Sequence, residues 1–161
     1  MKVTFQGAPL TLEGTQIKVG DLAPDFTVVG NDLNPIKFSD IKGKKILVAV
    51  PSIDTPVCDM EVRKFNQEAS KLNDVKVYTI SMDLPFAQAR WCGNAGIENV
   101  VTASDYKDRE FSKSYGLYIK ELGLVSRAVI VVDENNKVTY VEYLDEITNE
   151  PNYEKALETV K

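Results

Sequence analysis

The stretch "KILVAVPSIDTPVCDMEVRKFN", Lys45 to Asn66, decides how the chain is read. Its first six residues are a continuous apolar run rich in β-formers, the pattern of a strand covered on both faces. Two prolines follow, and from Pro56 the period changes. Val57, Met60, Phe65 and Leu72 recur at roughly helical spacing, with Glu61, Arg63, Lys64 and Glu68 between them. Thr55 is placed as the N-cap and Pro56 as the first helical residue. A strand running straight into a helix is the unit of an α/β fold with parallel pairing. It also sets Cys58 in the first turn of that helix.

The same reading extends outward. "KVTFQGAPLTLEG" alternates around Gly7 and Pro9 and is expected to form an N-terminal β-hairpin. Short strands are expected at Phe26 to Val29 and Ile36 to Phe38. "VKVYTISM" and "NVVTAS" read as further strands. "LPFAQARWCGNAG" reads as a helix stopped by Gly93 and Gly96, and "KDREFSKSYG" as a short helix closed by Gly116. "RAVIVVDENNKVTYVEY" is a strand, a polar turn and a returning strand, and "NYEKALETVK" a terminal helix. The expected fold is therefore α/β, a three-layer sandwich with a mixed central sheet and the hairpin as an extension. That pattern matches a thioredoxin-like sheet, with Phe65, Leu72, Val77 and Ile80 in its core.

Composition narrows the chemistry. A chain of 161 residues that is 43% hydrophobic and 27% charged is expected to be one globular domain over residues 1–161. A net charge of -5 opposes binding to nucleic acid or anionic lipid. The "KGKK" run reads as a solvated turn. No stretch has the apolar length of a signal peptide or a membrane span, so a soluble, cytoplasmic protein is expected.

The chain has two cysteines, Cys58 and Cys92, and no histidine. Cys–His hydrolases, Ser–His–Asp triads and a zinc site fall together. Neither GxGxxG nor a P-loop is present. At the first turn of a helix, unpartnered N–H groups and the macrodipole favour a thiolate over a thiol. Such a sulfur is activated without a base, and redox or alkylation chemistry is what remains for it. Arginine is the best fixed positive charge to accompany it, and Arg63, Arg90 and Arg127 are the candidates. A buried, inert cysteine is the bland alternative; the prolines, the cap and the first-turn position argue against it for Cys58, while Cys92 alone stays evenly balanced.

At this point the sequence resembles the peroxiredoxins, and within them the bacterial thiol peroxidases with two cysteines in one chain. "PSIDTPVC", Pro51 to Cys58, fits the signature of proline, three residues, threonine, two residues, cysteine. Cys92, "VGDLAPDFTVV" and "SRAVIVVD" extend the likeness over nearly the whole chain. The resemblance implies Cys58 as the peroxidatic cysteine that attacks a hydroperoxide. It implies Thr55 as a hydroxyl for peroxide and thiolate, Arg127 as positive charge on both, and Pro51 as a shield against water. Cys92 would be the resolving cysteine, closing an intrachain disulfide that thioredoxin reduces. A homodimer and the absence of metal or other cofactor are also implied. Arg63 reads either as a brace for the active-site helix or as a surface ion pair, and Arg90 as surface.

Two other readings compete. A protein thiol–disulfide oxidoreductase of this fold uses C-x-x-C, and Glu61 stands where the second cysteine would be. A non-catalytic redox or binding module would carry a structural Cys58–Cys92 disulfide, and such a bond should resist thioredoxin.

Overall fold

A computed structural model describes residues 2–96 and 99–161. Its elements in chain order are β1 (Lys2–Phe5), β2 (Ala8–Glu13), β3 (Thr27–Gly30), β4 (Pro35–Lys37), a 3-10 turn (Phe38–Asp40), β5 (Lys44–Ala49), α1 (Pro56–Ala69), β6 (Val75–Ser81), α2 (Pro85–Ala95), β7 (Val100–Ser104), α3 (Glu110–Ser114), β8 (Tyr118–Ile119), β9 (Leu124–Val125), β10 (Ala128–Val132), β11 (Val138–Tyr143) and α4 (Tyr153–Glu158).

Seven strands form the central sheet in the order β11-β10-β5-β6-β7-β3-β4. The β5–β6 and β6–β7 pairs are parallel, as helical crossovers require, and all the others are antiparallel. The expected mixed sheet is present. Period-two alternation sends each strand's side chains to two cores. On one face Ile46 and Val48 of β5 meet Val62, Phe65 and Ala69 of α1 and Ala156 and Leu157 of α4, with Trp91 of α2 at the margin. On the other, Leu47 and Ala49 meet Phe26, Phe38, Phe111 and Tyr115, whose rings stack or meet edge to face.

The expected N-terminal hairpin forms, with Phe5 opposite Ala8, so Pro9 lies within the second strand rather than in the turn. It joins β8 and β9 in a separate four-stranded sheet, an element too short to be seen in the sequence pattern. Two further expectations need correction. Gly93 does not stop α2; the helix runs to Ala95 and ends at Gly96, which takes φ +67° where a side chain would be strained. The buried stripe of α1 is Cys58, Glu61, Val62, Phe65 and Ala69, while Met60, expected to face inward, is 51% exposed. Of the expected core stripe, Phe65, Val77 and Ile80 are buried and Leu72 packs at the edge. No helix of the described residues is long and apolar enough to cross a membrane.

Candidate active site

The parallel strands β5 and β6 end side by side, and the chain leaves β5 through a loop that reaches α1. Pro51 is buried at its start. Asp83, just past β6, holds this loop: it accepts from Ser52 Oγ at 2.7 Å, from the Ile53 N–H at 2.9 Å and from Ser81 Oγ at 2.6 Å. Thr55 then caps α1, its Oγ1 accepting from the Cys58 N–H at 3.3 Å and donating to the Ser52 carbonyl at 3.1 Å. The hydroxyl thus serves the backbone on both sides of the turn. Pro56 at the first helical position completes the start that the sequence called for.

Cys58 is fully buried in the first turn. Arg127, from the end of the β9–β10 connection, lies beneath it. Its Nη2 donates to Cys58 Sγ at 2.9 Å, its Nε donates to the Ile147 carbonyl at 2.7 Å, and its Nη1 pairs with Glu61 Oε2. Arg127 is 2% exposed and Glu61 is wholly buried. A guanidinium is the suitable cation here because its rigid fork can address three acceptors at once. Burial alone would lower the Arg127 pKa, but the charges of Glu61 and Cys58 outweigh it and hold the guanidinium above its ordinary range. For Glu61 burial dominates: it pushes the carboxyl up to about 7, against the opposing pull of Arg127. Glu61 Oε1 has no hydrogen-bond partner among the described residues.

Glu61 is the residue the sequence reading missed. Its charge puts it among the polar positions of the helix pattern. The available signal was phase: Glu61 follows Cys58 by three residues and precedes Phe65 by four, which puts all three on one face.

Cys92 sits elsewhere, in the last turn of α2, half-buried, its Sγ 3.2 Å from Thr102 Oγ1 on β7. Neither cysteine is in a disulfide. The two helices are joined beside the cysteines rather than through them. Trp91 Nε1 donates to Asp59 Oδ1 at 2.8 Å, and Arg63 Nε donates to Asp59 Oδ2 at 2.9 Å. The Arg63 guanidinium lies 5.7 Å from the Trp91 ring centre, and its Nη1 reaches the Ala95 carbonyl at 3.5 Å. Arg63 is therefore both a surface ion pair and a brace between α1 and α2. Arg90 is exposed, on the rim of a cavity shared with Arg63, Asp83 and Trp91.

A buried sulfur beneath a fixed guanidinium, at a capped helix start, sits where negative charge on it and beside it is stabilised by the cation and the helix N–H groups. Among the described residues no cluster of three or more His, Cys, Asp or Glu could hold a metal ion.

Comparison with known proteins bears on this arrangement. The Redoxin family model matches residues 18–157. A thiol peroxidase of Clostridium acetobutylicum is 56% identical over 161 residues, covering 100% of this chain and 98% of that protein. A thiol peroxidase of Bacillus subtilis is 58% identical over 161 residues, covering 99% and 96%. The crystal structure of a peroxiredoxin-like protein from Aquifex aeolicus superposes with a TM-score of 0.92 at 40% identity, covering 99% of this chain and 95% of that one. The chain belongs to the redoxin family, among its thiol peroxidases.

Proposed function

We propose that the protein is a thioredoxin-dependent thiol peroxidase that reduces hydrogen peroxide and organic hydroperoxides through a Cys58 sulfenic acid and a Cys58–Cys92 disulfide. The observation that carries this reading is the 2.9 Å contact from Arg127 Nη2 to Cys58 Sγ inside a histidine-free, buried site. The Cys58 thiolate attacks the terminal oxygen of the hydroperoxide. The S–O bond forms as the O–O bond breaks, and the departing alkoxide takes a proton to leave as alcohol or water. Arg127 is the donor nearest to the charge that develops on the oxygens, and such preorganised donors account for much of the barrier lowering. Thr55 sets the helix start, and buried Pro51 keeps water from the sulfur.

Cys58 sulfenic acid and the Cys92 thiol then condense to the disulfide with loss of water. This step protects Cys58 from irreversible oxidation. A disulfide requires Cα atoms within about 7 Å. The two sulfurs are held on different partners, Arg127 and Thr102, at opposite ends of their helices. The first turn of α1 and the last of α2 therefore unwind in each cycle. Reduced thioredoxin restores the two thiols. The enzyme works as a homodimer in the cytoplasm. The structural-disulfide reading has no support in a fold whose two sulfurs face separate surroundings.

Peroxide consumption coupled to thioredoxin and its reductase tests this directly. Cys58→Ser should be inactive, and Cys92→Ser should consume one equivalent and stop. Full turnover by Cys58→Ser would overturn the assignment.

A further inference from the structure

Thr102 is a buried hydroxyl, 1% exposed, on the strand beneath α2. Its Oγ1 donates to Asn31 Oδ1 at 3.0 Å, in the turn after β3, and lies 3.2 Å from Cys92 Sγ. A hydroxyl has one proton and two lone pairs. With that proton directed to Asn31, the contact with sulfur is a hydrogen bond only if the Cys92 S–H donates to Thr102. The three groups form a directed chain, Cys92 S–H to Thr102 O–H to Asn31 Oδ1, and the chain requires a protonated sulfur. The contrast with Cys58 is sharp. Arg127 offers that sulfur a cationic donor, while Cys92 faces an oxygen whose proton is already committed.

We propose that Thr102, oriented by Asn31, is a positioning residue that holds Cys92 docked as a neutral thiol until Cys58 has been oxidised, and so sets the rate of disulfide closure. The inference rests on Cys92 being the resolving cysteine. The thiol, not the thiolate, is a poor nucleophile. While α2 is intact the proton is held and the sulfur is kept against β7. When the last turn of α2 unwinds, Cys92 leaves Thr102 and its proton becomes free to transfer to solvent. The sulfur then attacks Cys58 sulfenic acid: the S–S bond forms, the S–O bond breaks, and the hydroxyl leaves as water with a proton. The hydrogen bond is broken before closure, so it adds to the closure barrier and not to that of peroxide attack. A longer-lived sulfenic acid is more open to a second peroxide, so Thr102 also sets how readily Cys58 is driven to the sulfinic state.

The test uses full-length reduced protein, one equivalent of hydrogen peroxide and rapid quenching, with sulfenic acid and disulfide followed by mass spectrometry. Thr102→Val keeps the shape and removes the hydroxyl. Disulfide closure should accelerate by about twofold to tenfold, the range one hydrogen bond represents, with the rate of sulfenic acid formation unchanged. Sulfinic acid at high peroxide should fall, and Thr102→Ser should restore wild-type closure. Closure at the wild-type rate or slower in Thr102→Val would overturn the proposal. Asn31 is exposed, so Asn31→Ala spares the core. It releases the Thr102 proton to donate to sulfur. Cys92 borders a groove of about 470 Å³ lined also by Asn31, Pro35, Ile36 and Thr102, through which a small reagent reaches it. In a Cys58→Ser background, Asn31→Ala should speed iodoacetamide alkylation of Cys92; an unchanged or slower rate counts against the chain of donors. Wild-type protein that forms no Cys58–Cys92 disulfide would sink the resolving role itself. Normal closure that ignores both substitutions would sink only the role of Thr102.

Discussion

Glu61→Gln should abolish most of the difference in stability that the reduced protein shows between about pH 5 and pH 8. Glu61 is wholly buried, with one oxygen on Arg127 and the other without a partner among the described residues. Burial raises its carboxyl from the ordinary 4.5 to about 7. The sign follows from proton counting. Between those two values the folded protein retains a proton that the unfolded chain has already released, so stability falls as pH rises through the window. At about 1.4 kcal/mol for each pH unit, the gap amounts to about 3 kcal/mol lost by pH 8. Glutamine has the same shape, can still accept from Arg127 Nη1 through its amide oxygen, and has no proton to lose. Urea unfolding of both proteins at pH 5, 6, 7 and 8 measures this. Every other titrating group is shared, so the difference between the two curves isolates position 61. Between pH 5 and pH 8 it should grow in favour of glutamine by about 2–3 kcal/mol, with matching m-values. A difference that stays flat across the range would show that Glu61 titrates like a solvated carboxylate, and the buried-charge argument would fail.

Arg127→Leu should slow single-turnover peroxide attack by about 100-fold to 1,000-fold, the usual consequence of losing a donor to developing negative charge. At pH 8, where Glu61 is ionised, it should also destabilise the fold by about 3–5 kcal/mol by leaving that charge unpaired; adding Glu61→Gln should recover much of that stability in urea and none of the rate. Trp91→Phe removes the 2.8 Å bond to Asp59. It should lower the Tm of the reduced protein by a few degrees while speeding Cys58–Cys92 closure on non-reducing gels; equal closure rates would mean the contact does not restrain α2.

What could be read in advance was what is encoded locally. The run Ile46 to Val50, the Thr55 cap and Pro56 each act within a few residues, and they placed Cys58 correctly in its helix turn. Glu61 escaped because a charged residue on an amphipathic helix ordinarily faces water. Its burial is decided by Arg127, 66 positions away. The same holds for Asp83 and the loop it ties down, 30 positions away. Gly93 and Gly96 look equivalent as letters, and only Gly96 has the left-handed backbone that ends a helix. Strands β8 and β9 are two residues each, too short for any periodicity. Arg127 is one of three candidate arginines on the sequence alone, and only likeness to a family assigns roles to it and to Cys92; the contacts that Arg127 makes with Glu61 and Ile147 are beyond that likeness.

Trp91 is the only tryptophan in the chain, and it stands next to Cys92 with its indole N–H on the residue that follows Cys58. The protein therefore carries its own optical gauge at the seam between its two cysteine helices. When the seam parts, the indole loses the Asp59 carboxylate and the Arg63 cation and meets water, and its emission changes. On the proposed cycle, unlabelled wild-type enzyme in a stopped-flow fluorimeter should separate two events in time: oxidation at Cys58 with the seam still shut, and closure with Cys92 as it opens.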